Sequence, residues 1–319
     1  MPTEMLEQTQ LAVDVHGLSR AFPGVQAVAD LSFDVKYGEI FGLVGPDGAG
    51  KTTTMRMLAG VLAPDKGKAI VAGYDLAFQA EAVKHHISYM PQRFGLYEDL
   101  TVDENIRFYA DIFGVKPQAR EERALQLLEA ADMHRFRKRL AGKLSGGMKQ
   151  KLGLVCALIH TPKLILLDEP TNGVDPVSRR DFWKILYSLL GEGVAILTST
   201  AYLDEAERCH RVALLDRGRL LFCDTPDSLK KHLHNSILMV QSDDPRGVRD
   251  ALSSATGVSS AVLVGDGVHL LVDDARQQIP LVKRLLEDKS VPHSTIEEIT
   301  PSIEDVFVWA VTSGQEAGR

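Results

Sequence analysis

Cysteine is scarce: Cys156, Cys209 and Cys223 are the only three in 319 residues. Three thiols without metal-ligand spacing exclude a disulfide scaffold or a zinc site, and are expected to be reduced, part-buried residues of a cytosolic protein. Long apolar runs are missing too. The longest, such as Leu164 to Leu167, suit buried strands and fall far short of a membrane span. Positive charge is not in excess: the net charge of −7 argues against general nucleic-acid binding. The start, Met1-Pro2-Thr3-Glu4, has no charged-then-apolar pattern, so export is not expected. There is no internal repeat and no low-complexity segment. What is there is ordinary globular material, 45% hydrophobic and 25% charged, enough for one large domain or one large and one small.

Residues Leu11 to Asp34 alternate apolar and polar around Phe22-Pro23-Gly24, which predicts strands about a turn. Ile40–Val44 predicts a buried strand and Thr53–Leu62 a helix. The pattern is helical from Glu98 to about Arg139, and strand-like runs return at Leu164–Leu167, Val194–Thr198 and Val212–Leu215. Buried strands alternating with helices around an all-helical insertion predict a three-layer α/β core with a helical subdomain, about residues 93–160. Composition shifts after Leu233, dividing a domain 1–233 from a small α+β domain 234–319. In the latter Ile237–Val240 predicts a strand and Arg246–Ser253 a helix. Val258–Val264 and Val268–Val272 predict a hairpin about Gly265-Asp266-Gly267, Gln278–Leu286 a helix, and Thr300-Pro301 the start of a last one reaching Val311.

Three segments carry the chemistry. Gly45-Pro46-Asp47-Gly48-Ala49-Gly50-Lys51-Thr52 fits G-x-x-x-x-G-K-[ST] between a strand and a helix. Glycines there let backbone N–H groups close on phosphates, and the helix N-terminus adds positive potential. Lys51 would reach the terminal phosphates of ATP and Thr52 would ligate Mg²⁺. Second, Lys163-Leu164-Ile165-Leu166-Leu167-Asp168-Glu169-Pro170 ends an apolar strand on two carboxylates. An acidic turn is the bland reading. Beside the phosphate loop, Asp168 is expected in the Mg²⁺ shell and Glu169 as the group polarising an attacking water. Third, Leu144-Ser145-Gly146-Gly147-Met148-Lys149-Gln150 precedes a helical stretch to Ile159 and leads straight to the acidic strand.

Together these motifs resemble the nucleotide-binding subunit of an ABC transporter, over Leu11 to about Leu233. The resemblance implies a P-loop NTPase fold and two cassettes sandwiching two ATP molecules. Each nucleotide would touch the phosphate loop, through Thr53, of one cassette and Ser145, Gly146 and Gly147 of the other. It implies that Phe22 stacks on adenine, although a core or turn aromatic is the alternative. It gives Gln92 a part in sensing Mg²⁺ and in linking to a membrane partner, and takes Gly173-Val174-Asp175-Pro176 across the dimer interface. Lys51, Gln92 and Glu169 would form the catalytic set.

Two positions depart from the family pattern. Ala201 in Thr198-Ser199-Thr200-Ala201-Tyr202-Leu203-Asp204-Glu205-Ala206 stands where the family carries a histidine that contacts the terminal phosphate. Losing such a group costs roughly 10²–10³ in rate. Asp47 stands where asparagine is commonest, and adds a carboxylate beside phosphate. Both fall on the half-site built around this chain's own loop, so the expectation is an asymmetric pair: slow hydrolysis here, a competent site completed on another cassette. The pattern also resembles the first half of a tandem-ATPase exporter subunit.

By the same resemblance, Phe94, Leu96 and Tyr97 would receive a short helix of a membrane subunit, or else be buried in the helical subdomain. The cluster Arg135, Arg137, Lys138, Arg139 and Lys143 faces lipid headgroups or, with more weight, solvent. The C-terminal segment, closing on Ile299-Thr300-Pro301-Ser302-Ile303-Glu304-Asp305-Val306-Phe307, resembles that of drug- and lipid-exporting members and suggests dimer stabilisation or regulation. The expected function is the ATP-hydrolysing subunit of an ABC-2-type exporter, peripheral on the cytoplasmic face of the membrane. The alternatives are a soluble ABC-type switch and an ATP-binding scaffold.

Overall fold

The computed structural model describes residues 11–93, 95–233, 235–265 and 267–316, with side chains to Thr312. These fall into two compact units, one ending at Cys223 and the other beginning at Asp224.

In the first unit, β1 (Leu11–Phe22) and β2 (Val25–Lys36) pair antiparallel around Phe22–Val25. They do not join the parallel sheet. With β4 (Lys66–Val71) and β5 (Tyr74–Asp75), neither of which was expected from the sequence, they form a separate sheet ordered β2-β1-β4-β5. The central sheet contains β3 (Ile40–Val44), β6 (Ile87–Met90), β7 (Leu164–Asp168), β8 (Ala195–Thr200), β9 (Arg211–Asp216) and β10 (Arg219–Asp224), in the order β10-β9-β3-β8-β7-β6. The pairs β6–β7, β7–β8, β8–β3 and β3–β9 are parallel. Every residue of β3, β7 and β8 is buried, as strands covered on both faces require, hence their near-continuous apolar runs.

Helix α1 (Lys51–Leu58) follows the phosphate loop, and α2 (Leu76–His86) leads into β6. The helical insertion holds α3 (Val102–Ile112), α4 (Pro117–Ala130) and α5 (Gly146–Leu158). Its boundaries follow local chemistry. Thr101 and Glu104 form a reciprocal capping box that starts α3, and Pro117 opens α4 where its missing N–H costs nothing. Ser145 caps α5, accepting from Met148 N–H. Helix α6 (Pro176–Leu190) starts at Asp175, whose carboxylate accepts from Val177 and Ser178 N–H, and the short α7 (Leu203–Ala206) follows β8. Among the described residues no helix is long and apolar enough to cross a membrane.

The second unit has one antiparallel sheet, β12-β13-β11-β14, from β11 (Ser236–Gln241), β12 (Val258–Val264), β13 (Gly267–Val272) and β14 (Thr295–Ile299). Its helices are α8 (Pro226–Lys231), α9 (Pro245–Leu252), α10 (Ala275–Asp288) and α11 (Ile303–Glu316). Alternation along β13 assigns its two faces. Val268, Leu270 and Val272 pack with Val248, Leu252, Val282 and Leu286 from α9 and α10. Leu271 packs with Leu233, Ile237, Ile299 and Trp309, while His269 meets Asp305 of α11. The hairpin expected about Gly265–Gly267 joins β12 to β13, with Asp266 outside the described residues. Strand β14 was missed because Thr295-Ile296-Glu297-Glu298-Ile299 carries too few apolar residues to declare itself.

Candidate functional site

The site lies at the C-terminal ends of β3, β7 and β8, where parallel sheets leave a crevice. Gly45 ends β3. A β-carbon there would run into the Leu215 carbonyl oxygen, so only glycine lets the loop turn. Gly50 caps α1 at φ +98°, a conformation L side chains rarely adopt. Phe22, Asp47, Gly48, Gly50, Lys51, Thr52, Thr53, Gln92 and Glu169 line one cavity of about 440 Å³, with Val25 and Ala27. Pro46 lies in the loop and Ala49 is buried beneath it. Phe22 is 42% exposed at this cavity and takes no part in the core, with the Arg20 guanidinium 5.1 Å from its ring centre.

The charged groups are held tightly. Lys51, only 4% exposed, donates from Nζ to the carbonyls of Gly45 (2.7 Å) and Pro46 (3.1 Å), and its ammonium lies 3.2 Å from Glu169 Oε1. Gln92 Nε2 donates to Glu169 Oε2 at 2.9 Å, and Asn172 Nδ2 to the same oxygen at 3.3 Å. Asp168 is buried and ligated by hydroxyls. Thr52 Oγ1 (3.0 Å) and Ser199 Oγ (2.7 Å) donate to Oδ1, and the Tyr89 hydroxyl donates to Oδ2 at 3.3 Å. Burial, and then the neighbouring carboxylate, push the Tyr89 phenol up to about 12, which keeps it a donor. Among the described residues no cationic side chain pairs with Asp168. A buried carboxylate beside a threonine hydroxyl and a glutamine amide oxygen is a set of hard oxygen donors that fits Mg²⁺.

Three of these contributors escaped sequence reading: Tyr89, Asn172 and Ser199. The available signal was the polar run Thr198-Ser199-Thr200 ending a buried strand, which the parallel register sets beside Asp168. Nearby, Glu205 is 1% exposed and accepts from Thr171 (2.6 Å), Thr200 (2.9 Å) and Trp183 (3.4 Å), with Arg179 3.6 Å away.

Ser145, Gly146 and Gly147 do not line the phosphate cavity. They open α5 instead, where Gly147 lies against Ser178 of α6, and Ser145 and Gly146 are exposed. Asp47 and Ala201 share a second cavity, about 240 Å³, with Glu169, Thr171, Asn172, Thr200 and Tyr202. A third cavity, about 550 Å³, lies at the opposite end of the strands near Lys163 and Val194, away from all these groups. Tyr97 is 47% exposed with its ring against Phe108, Leu96 is half-buried, and Phe94 lies outside the described residues. In the basic cluster, Arg137 is committed to Asp103 and Glu121 at 2.7 Å each.

Residues 28–172 match the ABC transporter family. The daunorubicin/doxorubicin resistance ATP-binding protein DrrA of Streptomyces peucetius is 34% identical over 312 residues, covering 95% of this chain and 93% of DrrA. The chain belongs to the ABC transporter ATP-binding proteins. This ABC ATP-binding protein is also similar to the Nod factor export ATP-binding protein I of Burkholderia orbicola (strain AU 1054), 35% identical over 298 residues and covering 93% and 95% of the two chains. The protein named probable multidrug ABC transporter ATP-binding protein YbhF, of Escherichia coli (strain K12), is 45% identical over 307 residues. That match covers 93% of this cassette and 51% of YbhF, so the chain spans about half of that relative's length. A solved ATP-binding subunit of an ABC transporter superposes with a TM-score of 0.63 at 32% identity, covering 69% of this chain and 92% of that one.

Proposed function

We propose that this chain hydrolyses ATP to drive an ABC-2-type exporter, working as one of a pair of cassettes. One observation carries the reading: Lys51, Thr52, Gln92 and Glu169, scattered over 119 positions of sequence, line one cavity at a helix N-terminus, with Asp168 hydrogen-bonded to Thr52. The loop amides and the Lys51 ammonium bind the triphosphate, and Phe22 stacks on the base. Thr52, Gln92 and Asp168 hold Mg²⁺, which offsets phosphate charge when bound. Glu169, steadied by Gln92 and Asn172, takes the proton of the attacking water. For that it must leave Lys51, whose ammonium turns to the phosphates when nucleotide enters.

Ser145 and Gly146, exposed at the start of α5, and the buried Gly147 beside them serve the nucleotide of a second cassette. A closed pair sharing two ATP molecules would drive membrane subunits between states, and reopen after hydrolysis. The name of the Nod factor export protein supports export as the direction. The membrane subunits would hold the chain to the inner face of the membrane and select the substrate. The C-terminal unit stabilises or regulates the pair.

The space beside Ala201 supports attenuation of the chain's own site, so that a different cassette supplies the faster one. Steady-state turnover of the purified chain against Ala201→His tests this. The expected result is a slow parent and a gain of up to about 10² in the variant. Fast, equal turnover in both would remove the case for an asymmetric pair.

A further inference from the structure

We propose that Ser199 is a positioning residue that ties the metal-binding carboxylate to the backbone of the general base; the inference rests on the roles given above to Asp168 and Glu169. Ser199 is the last residue but one of β8, is fully buried, and is paired in register with Asp168. Its hydroxyl donates its single proton to Asp168 Oδ1 at 2.7 Å. With that proton committed, Oγ can only accept on its other side, and it takes the Glu169 N–H at 3.0 Å. The Ser199 carbonyl shares the same N–H at 3.1 Å.

The backbone of Glu169 explains why the tie matters. Its φ of +49° is left-handed, a region that a β-carbon disfavours and that persists only where surroundings enforce it. Two of the groups that hold it are on Ser199, and the Asn172 N–H, donating to the Glu169 carbonyl at 3.2 Å, is a third. One side chain therefore helps orient the Asp168 carboxylate and the backbone from which the Glu169 carboxylate leaves the strand. Alanine has no hydroxyl and could not bridge the two. Tyr89 supplies the contrast. It also donates to Asp168, through Oδ2, yet has no hydrogen bond to Glu169.

The test compares Ser199→Ala, Ser199→Thr, Tyr89→Phe and Glu169→Gln in the full chain. It reads ATP turnover, KM, the nucleotide-free melting temperature and Mn²⁺ affinity in the presence of ADP. Ser199→Ala is expected to lower kcat about 10- to 100-fold with little change in KM, and to weaken Mn²⁺ binding. Ser199→Thr, which keeps the hydroxyl, restores both. Tyr89→Phe weakens Mn²⁺ binding with a smaller loss of kcat than Ser199→Ala. Because Mn²⁺ affinity is read without turnover, a slow parent enzyme does not blunt the comparison. Unchanged kcat and Mn²⁺ affinity in Ser199→Ala, with Glu169→Gln inactive, overturns the role of Ser199 alone. Wild-type turnover in Glu169→Gln overturns the reading of the base and this inference with it. Equal losses in the alanine and threonine variants, matched by equal falls in melting temperature, make Ser199 a packing residue and also overturn the proposal.

Discussion

The tip of the central sheet and the C-terminal unit both bury a carboxylate, and they treat it in opposite ways. Asp168 is 1% exposed and receives three hydroxyls, with no cationic side chain paired to it among the described residues. Asp305 is 7% exposed and lies 2.8 Å from His269 Nδ1, while its other oxygen accepts from the backbone N–H and hydroxyl of Ser302. Removing a carboxylate from water is costly unless charge and hydrogen bonds offset it. The C-terminal unit offsets the cost within itself, so Asp305 serves architecture. The central sheet leaves the charge of Asp168 without a cationic partner among the described residues, and the Mg²⁺ proposed above would meet it. Burial is alike in the two; the partners differ. Glu205, beside the site but provided with Thr171, Thr200, Trp183 and Arg179, falls on the architectural side.

The comparison is most exposed to failure at Asp168. Asp168→Asn is expected to lower turnover by at least about 10²-fold, while the nucleotide-free melting temperature holds or rises because an unpaired buried charge is gone. A large fall in melting temperature would make Asp168 as structural as Asp305. Asp305→Ala should do the reverse. It strands His269 and removes the Ser302 contacts, costing about 3 kcal/mol in denaturant unfolding, with turnover per folded molecule unchanged. Loss of turnover at constant stability would break the contrast from the other side.

A smaller effect sharpens it through pH. Burial by itself would raise the Asp305 pKa, but hydrogen bonds from His269 and Ser302 outweigh it and hold the carboxyl below its ordinary 3.8. A lowered folded-state pKa contributes stability that is complete above the unfolded value and disappears as pH falls through the folded one. Melting temperatures taken from about pH 5 down to about pH 2 should therefore fall more steeply in the parent than in Asp305→Asn. Parallel curves would show that the pair contributes nothing on ionisation.

Local spacing was sufficient for the phosphate loop, the acidic strand and the Ser145–Gly147 segment. In each, the chemistry needs particular residues within a few positions of one another, and a parallel strand buried on both faces announces itself as an apolar run. The last helix was legible from Thr300-Pro301, and α11 begins just after it at Ile303. Strands β4 and β14 were not, because their exposed, charge-bearing positions blur the period-two signal. Tyr89 and Ser199 stand 79 and 31 positions from Asp168, and nothing in either neighbourhood names the other. Their meeting depends on β6, β7 and β8 lying parallel in one register, so that polar residues at three strand ends converge on a single carboxylate. Spacing along the chain thus determined the glycine-rich loop and the acidic strand end. Only the pairing of distant strands decided which hydroxyls hold Asp168 and set the backbone of Glu169, since a hydrogen bond needs atoms within about 3 Å and chain order alone does not bring them there.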